Sequence, residues 1–430
     1  MQTMYKKWVG ASALVLFFFS TQGFGLQPLS EFLGAVKTNS FDAREANVVV
    51  EQRNNEWKAA IGRLLPSLSI SGNFIRNSYE DRSITVGLDD QGLPISAQIL
   101  AQNQLSGVFN VNVPLIDVAG IQRARAANAT KEAASLRSDA AVLEIKKNVA
   151  KIYFQYVASA ALVVATEKSL STAEENQNIS ERKLLAGTVS SLDVERARAD
   201  TERARQTKSD AELTQILAGR SLETLTGISP EGEVAPLEVD LSPEAPLSKW
   251  QEKIGEVPSI KASQEDARAA ELTKHASFWA LAPTLSATFN DQLTNQSGFA
   301  LQNNTWYLGL SLAWRFDLST VFNAKSFSSA ASLATIREER ARRDVQDQVF
   351  NVWSQVKAYL IRSQAARAQV KASAKAQELA EVRYQAGIAT QLEVSQAARD
   401  HLNAEANRIQ TDADLAYGRA LLRITTSQPL

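Results

Sequence analysis

The sequence contains an internal repeat. The stretch LLAGTVSSLDVERARAD at 184–200 is matched by YQAGIATQLEVSQAARD at 384–400, and their glycines are 387 − 187 = 200 residues apart. Self-similarity at a fixed spacing indicates a duplicated architecture. We therefore expect one body built from two similar halves, although 430 residues alone would suggest roughly three domains. The recurring residues are Ala186, Gly187, Leu192, Val194, Ala197 and Asp200, matched by Ala386, Gly387, Leu392, Val394, Ala397 and Asp400.

Each half carries two segments with the alternation of a β-strand. In the first half these are PSLSISGNFIRNS and LSGVFNVNVPLID, and in the second half APTLSATFNDQL and NTWYLGLSLAWRFD. The polar segment between the first two, residues 77–104, is predicted to be a long loop on the outer side. The spacing of 200 that aligns LID with RFD also pairs Asn110 and Asn112 with Leu310 and Leu312, which reverses the two faces. We therefore predict a register slip or bulge in one strand.

Long helices follow each strand pair, and a shorter helix at 29–64 precedes the first. Residues 121–185 and 324–385 have almost no Gly and no Pro, which predicts helices about 100 Å long at 1.5 Å per residue. Apolar residues recur every seven positions, so we expect these helices to pack along their length against partner helices. The repeating positions include Val142, Val149, Tyr156, Val163 and Leu170, then Val349, Val356 and Val370.

The repeated motif is predicted to form the tip of a helical hairpin. Gly187 and Gly387 end one helix, and the chain then resumes helix with Ser190 or Ser191 and Thr390 as caps. Asp193 and Glu393 fall in the first turn of the returning helices, where a carboxylate suits the helix dipole.

The N-terminus has the pattern of an export signal. Lys6 and Lys7 precede an apolar run of about 12 residues, and small residues lead to an expected cleavage after Gly25. The chain has no Cys, so it forms no disulfide and carries no lipidated N-terminal cysteine. We found no other apolar run of spanning length, so a crossing of a bilayer would have to use strands.

The chemistry of an enzyme is missing from the motifs. The two histidines, His275 and His401, have no metal or catalytic spacing, and no phosphate loop or nucleophile elbow occurs. Acidic and basic residues alternate on the long helices and nearly balance, at 46 Lys and Arg against 47 Asp and Glu. We therefore expect no catalytic activity, no cofactor, no metal site and no nucleic-acid partner.

Four strands are too few to close a membrane barrel, and an open sheet edge is not tolerated in lipid. Known spanning barrels begin at about eight strands, so a spanning barrel would require several copies of this chain. The alternative is a periplasmic β-domain on a soluble coiled coil, without a pore. The Asn-containing strand before Pro114 favours that alternative.

The order of these motifs resembles that of the TolC-like outer-membrane efflux family. The specific features are PSLSISG, the strand ending in PLID, the paired hairpin tips and the helix ending in LTG. The resemblance implies a mainly α-helical fold with a β-barrel part: a homotrimer in which each chain gives four strands to one 12-stranded outer-membrane barrel. The long hairpins of the three chains would form a coiled-coil tunnel across the periplasm.

The repeats and the resemblance together predict the organisation of the chain. A signal peptide occupies 1–25, the first structural repeat 26–227, a Pro-rich linker 228–257 and the second repeat 258–430. The implied function is a passive exit duct for small molecules such as drugs and toxic compounds. The implied partners are a periplasmic adaptor protein, an inner-membrane pump that supplies the energy, and outer-membrane lipid. An outer channel for type I protein secretion is an alternative within the same class.

The resemblance also implies two groups of site residues at the hairpin tips. Asp193 and Glu393 would line the narrowest part of the tunnel together with Tyr384 and Gln396, or would only stabilise helix starts. Two positions depart from the family pattern. Ala389 stands where some members have a basic residue, and Gln396 stands where some have a carboxylate. The adaptor would contact the small residues at the tips, which are Ala186, Gly187, Thr188, Ala386, Gly387 and Ile388.

Overall fold

A computed structural model describes residues 25–296 and 301–428 of the chain. The predicted signal peptide, apart from Gly25, lies outside these residues. The helices are α1 (Leu29–Asn39), α2 (Phe41–Gly62), α3 (Val118–Leu185), α4 (Ser191–Thr226), α5 (Leu247–Gln251), α6 (Pro258–Trp279), α7 (Leu318–Gln385) and α8 (Gln391–Thr425), with a 3-10 turn at Ile254–Glu256. The strands are β1 (Ser67–Arg76), β2 (Arg82–Leu88), β3 (Pro94–Leu100), β4 (Asn103–Ile116), β5 (Thr284–Thr294) and β6 (Asn304–Ala313).

The long helices confirm the prediction from composition. Helices α3 and α7 each contain 68 residues and follow β4 and β6. An aspartate caps each start: Oδ1 of Asp117 accepts from the Gly120 amide at 2.7 Å, and Oδ1 of Asp317 accepts from the Thr320 amide at 2.7 Å. Several of the predicted heptad positions are buried, with Val149 and Val349 at 0% exposure, as packing along the helices requires.

Two predictions about helices were wrong. The segment predicted as one helix at 29–64 is two, because α1 ends at Asn39 and α2 begins at Phe41 after Ser40. Helix α3 also contains an 18-residue window with mean hydropathy 1.4, enough by length and composition to cross a membrane, so the statement that no such run exists fails. Of that window 44% is buried, and core helices of soluble proteins have the same composition.

Four strands form one antiparallel sheet in the order β1-β4-β5-β6. The pairing brings together the two strand pairs predicted from the two halves, with β4 of the first half next to β5 of the second. One face is apolar and the other is neutral and polar. The apolar face carries large exposed side chains, among them Ile70, Phe74, Trp306, Leu308, Leu310 and Leu312.

The predicted irregularity in the first half is a bulge in β4. Pro114 pairs with Ser286 and Ile116 with Leu285, so Leu115 is an extra residue. Ser67 pairs with Asn112 and Thr284 pairs with Ala313 in the corresponding strand pairs. Before the bulge, equivalent residues of the two halves are therefore 313 − 112 = 201 positions apart. The equivalent of Asn112 is thus Ala313, a small residue, and not Leu312. The bulge restores the same faces to both halves.

The segment predicted as a long loop contains a second, two-stranded sheet. Strands β2 and β3 form an antiparallel hairpin at 82–100. The carboxylate of Asp89 accepts from the amides of Gln91 and Leu93 at 2.9 and 2.8 Å, and Gly92 has φ 79°. The prediction failed because turn residues dominate the composition there and hide two short alternating runs.

The described residues form two compact units, each built from both halves of the sequence. One contains Ile152–Asp240, Ala365–Ala413 and the described part of Met1–Gly34; the other contains Ala35–Lys151, Leu241–Gln364 and the described part of Asp414–Leu430. The second unit contains the sheet and a core that includes Trp250, Ile260, Val349 and Leu422. The first unit contains both hairpin tips and a small core with Ala158, Ile409 and Ala413.

Candidate functional site

The two hairpin tips have the same backbone structure. Gly187 and Gly387 have φ of 74° and 77°, a left-handed backbone conformation that residues other than glycine adopt only with strain. The amide of Gly187 donates to the Leu184 carbonyl and that of Thr188 to the Lys183 carbonyl, both at 2.9 Å. The second tip makes the matching pair of bonds from Gly387 and Ile388. This is the Schellman ending of a helix, so the turn accounts for the repeated glycine.

Reciprocal hydrogen bonds begin the returning helices. Ser190 caps α4: its side chain accepts from the amide of Asp193 at 3.3 Å, and the Asp193 carboxylate accepts from the Ser190 amide at 3.2 Å. Thr390 and Glu393 exchange the same two bonds, each at 3.3 Å. The cap prediction is confirmed, and Ser190, not Ser191, is the cap of the first tip. Both predicted pore carboxylates therefore act as helix-start residues in this structure.

The same carboxylates remain open to other interactions. The Asp193 side chain is 25% exposed, and the nearest cation, Nη1 of Arg196, lies 4.0 Å from it. Glu393 and Gln396 are exposed. The capping bonds use only one oxygen of each carboxylate, Oδ2 of Asp193 and Oε1 of Glu393, so the cap does not occupy the second oxygen.

Tyr384 is buried and connects the two tips. It is 3% exposed, and its hydroxyl lies 3.0 Å from Oγ of Ser180 on α3. Oγ of Ser180 also lies 2.9 Å from the Asn176 carbonyl oxygen and 3.4 Å from Oε1 of Gln391. Both of those oxygens can only accept, so the Ser180 hydroxyl donates its proton towards them. The phenol of Tyr384 is then the donor in its bond to Ser180.

Lys183 is a functional candidate that the sequence did not reveal. Its ammonium lies 4.1 Å from the centre of the Tyr384 ring and donates a hydrogen bond to the Tyr384 carbonyl oxygen. Lys183 lies in the first tip, while Ala389 occupies the position where some family members have a basic residue. The first hairpin thus supplies a cation to the buried tyrosine. The signal was weak, because Lys183 is one of many basic residues on these helices.

Asp200 makes a second connection between the hairpins. Its carboxylate accepts from the Ser395 hydroxyl, lies 3.5 Å from Nη1 of Arg399, and receives a 2.7 Å bond from Arg203 on its own helix. Asp200 on α4 is therefore hydrogen-bonded to Ser395 on α8. Its repeat counterpart, Asp400, is exposed. The duplication has kept the residue but uses it as an inter-hairpin contact in one half only.

The predicted adaptor-contact residues all lie on the surface. Ala186, Gly187, Thr188, Ala386 and Gly387 are exposed, and Ile388 is 70% exposed. Leu185, which precedes the first tip, is 90% exposed. Among residues 25–296 and 301–428 no group of three or more His, Cys, Asp or Glu side chains is placed to hold a metal ion.

Long helical hairpins attached to an antiparallel sheet with one apolar face define a class of outer-membrane channel folds. The model of the family named Outer membrane efflux protein matches the chain twice, at residues 33–228 and 251–426. The chain belongs to this family and is an outer-membrane protein that extends into the periplasm.

Proteins similar to this chain include outer-membrane efflux proteins and channels. The toluene efflux pump outer membrane protein TtgC of Pseudomonas putida is 24% identical over 392 residues, which cover 88% of this chain and 78% of that protein. The MtrE outer membrane channel of Neisseria gonorrhoeae, solved in its open state, is 19% identical with a TM-score of 0.76, covering 94% of this chain and 90% of MtrE. The CmeC outer membrane channel of Campylobacter jejuni is 16% identical with a TM-score of 0.75, covering 99% and 94%.

Proposed function

We propose that three copies of this chain form a passive exit duct for small molecules in a tripartite efflux pump. The observation that carries the proposal is the four-stranded sheet. One of its faces is apolar, the other is neutral and polar, and β1 and β6 each have one edge without a strand partner among the described residues. Both edges need partners in lipid, and copies of the same chain would supply them.

Twelve strands from three copies would close a barrel of ordinary size. The apolar face would contact lipid, and the opposite face would line the lumen with Ser, Asn, Thr and Gln side chains. No charged residue of the described strands β1, β4, β5 and β6 lies on that polar face. A neutral polar lining binds solutes weakly, which suits a duct that must release whatever it carries.

The selective point of the duct would be the hairpin tips. Asp193 and Glu393, two per chain and six in a trimer, would form an acidic ring, with Gln396 beside it as a neutral member. Carboxylates held close together repel one another and attract cations, so the ring would favour cations and resist complete closure. The contact of Tyr384 with Ser180 and Lys183 would hold the two hairpins of one chain together.

The exposed tips would bind the periplasmic adaptor. Ala186, Gly187, Thr188, Ala386, Gly387 and Ile388 offer small side chains that permit close helix contact, and Leu185 and Ile388 add exposed apolar area. The inner-membrane pump would supply the energy, and the duct itself would catalyse nothing. TtgC is named for toluene efflux, which favours small organic molecules as the cargo.

Deletion of the gene in its host tests this function. We expect accumulation of a fluorescent small organic compound to rise, and expression of the wild-type chain to restore export. A chain carrying Ile388→Glu and Leu185→Glu should reach the outer membrane at normal levels but fail to restore export. If accumulation is unchanged and an exported protein is retained instead, the type I secretion function replaces the proposed one.

A further inference from the structure

The four-stranded sheet carries only two charged side chains among its described residues, and both belong to the apolar face. Arg76 is the last residue of β1, on the same side as Phe74 and Ile70. Asp291 lies on β5, between Phe109 of β4 and Trp306 of β6. The two charges are opposite in sign. Arg76 lies on one edge strand, and Asp291 lies one strand in from the other edge.

Asp291 has an incomplete environment. Its Oδ1 atom is buried and has no hydrogen-bond partner within the described part of the chain. The surrounding side chains are aromatic, with the rings of Phe109 and Phe289 6.3 Å apart and those of Phe289 and Trp306 6.3 Å apart. An unpaired carboxylate on a lipid-facing surface is costly, so such a residue normally has a partner.

Arg76 lacks a partner as well. No ion pair involves its side chain in residues 25–296 and 301–428, and the residue is exposed. Within one copy, β4 lies between β1 and β5, and Arg76 is 76 − 70 = 6 residues beyond Ile70, the β1 residue in the same row as Asp291. Six residues correspond to about 20 Å along the strand, too far for a contact. Arg76 and Asp291 therefore do not pair with each other within one copy.

The stagger of the strands predicts where a neighbouring copy would place Arg76. The row of paired residues that starts at Ser67 on β1 reaches Gly309 on β6, whereas the last residue of β6 is Ala313. The row begins at the end of β1 but meets β6 313 − 309 = 4 residues before the end of that strand. Three strand-to-strand steps therefore shift the row by four residues along the strands. One more such step, to β1 of the next copy, gives a total of about five residues.

The alternation of apolar and polar faces limits the possible registers between β6 and β1 of the next copy. Only an even shift, of about four or six residues, joins apolar face to apolar face. These shifts place Phe74 or Arg76 of the next copy opposite Trp306. In either register Arg76 adjoins Trp306 on the side away from Asp291. The two charged residues are then two strands apart. Their Cα atoms are about 10 Å apart if Arg76 lies opposite Trp306 and about 12 Å apart if Phe74 does, and an extended arginine side chain spans either distance across the indole ring.

We propose that Arg76 of one copy and Asp291 of the neighbouring copy form an ion pair across the seam between β1 and β6, on the lipid-facing side and against Trp306. The proposal rests on the trimeric barrel proposed above. Each of the three seams holds one such pair. The pair neutralises the two charges that the described strands β1, β4, β5 and β6 place on the lipid face, and it forms only when the edges join in the correct register.

Charge exchange tests the pair. The dissociation temperature of the detergent-purified trimer is measured by the shift from trimer to monomer on semi-native gels. Arg76→Asp and Asp291→Arg should each lower it by several degrees, and the double exchange should restore most of the loss. Asp291→Asn, which keeps the side-chain shape, should lower it less. Asn73→Ala, on the polar face of the same strand, is the matched control and should leave it unchanged.

The natural chain has no cysteine, which allows a direct test of proximity. Arg76→Cys/Asp291→Cys treated with a bismaleimide of about 10 Å span should give covalently linked trimers, whereas Arg76→Cys/Leu285→Cys should not. If Asp291→Asn weakens the trimer while Arg76→Ala does not, Asp291 binds a lipid amine and the pair is refuted. The pair is also refuted if none of the charge changes alters the dissociation temperature of the trimer. A wild-type chain that forms no trimer overturns both this inference and the proposed duct.

Discussion

The ammonium of Lys183 lies 4.1 Å from the ring centre of Tyr384 and joins the ends of the two long helices at the hairpin tips. The phenol of the same tyrosine donates to Ser180 in a buried environment. One residue of the second hairpin is thus fixed by two residues of the first. This contact is the structural basis for the first prediction.

Tyr384→Phe should loosen the tips without unfolding the chain. The change removes one buried hydrogen bond, a loss of about 1 kcal/mol, while Ser180 keeps its bond to the Asn176 carbonyl. Hydrogen exchange followed by mass spectrometry should show faster exchange in residues 180–195 and 380–395. Tyr307→Phe, on the sheet, is the control and should leave the tips unchanged. Equal exchange at the tips in wild type and Tyr384→Phe would show that the contact does not hold the hairpins.

Ser190→Ala should destabilise α4, because Ser190 is the side chain that caps it. Loss of such a cap costs about 1 kcal/mol. Chemical denaturation of the detergent-solubilised protein measures the difference. Ser191→Ala is a matched control one residue away, and it should change the free energy of unfolding by no more than a few tenths of a kcal/mol. Equal effects of the two changes would refute the assignment of the cap.

Gly187→Ala should cost about 1–2 kcal/mol, because the residue has φ 74° and alanine is strained in that conformation. No atom lies within 4 Å of the added Cβ, so the cost comes from the backbone alone. The control is Gly34→Ala in helix α1, which also adds a Cβ to open space. That change should be neutral or stabilising. A thermal unfolding series that finds both changes neutral would contradict the left-handed turn.

Asp317 should make the start of α7 sensitive to acid. Hydrogen bonds from the Ser319 hydroxyl and from the amide and hydroxyl of Thr320 lower the pKa of Asp317 from 3.8 to about 2, with a smaller contribution from Arg315. A carboxyl whose folded pKa is lowered stabilises the folded state above its unfolded pKa. The stabilisation is lost as the pH falls from about 4 towards 2.

Thermal unfolding at a series of pH values measures this effect. The difference in melting temperature between wild type and Asp317→Asn should be largest at pH 5 and should shrink below pH 4. The Asp317 side chain is 35% exposed, so solvent screening keeps the effect small. A difference that stays constant down to pH 2 would show that the carboxylate charge does not contribute.

Sequence reasoning predicted the long helices, the four strands and the hairpin tips, because each of these depends on local periodicity or on a single residue type. Gly187 and Ser190 are examples, since a left-handed turn and a cap are local requirements. The β2–β3 hairpin was missed because its alternation is short and Gly and Asp dominate the composition around it. The break at Ser40 was missed because no Gly or Pro marks it.

Contacts between distant segments could not be predicted in this way. Lys183 and Tyr384 are 201 residues apart in sequence, and their contact depends on how α3 and α7 pack. The same holds for Asp200 and Ser395, where the repeat would suggest equal use of Asp200 and Asp400. The two halves have one pattern but different neighbours, so their equivalent residues make different contacts.

The central claim is a passive duct with an acidic constriction, and single-channel conductance in a planar bilayer tests it most directly. Purified wild type is compared with Asp193→Asn/Glu393→Gln, which removes the charges but keeps the oxygen atoms that accept the capping bonds. Glu195→Gln, two residues further along the same helix and exposed, is the control. We expect discrete cation-selective channels from wild type and from the control, and loss of cation preference in the double variant. Folded trimers that insert into the bilayer and never conduct, in wild type and variant alike, would contradict the account.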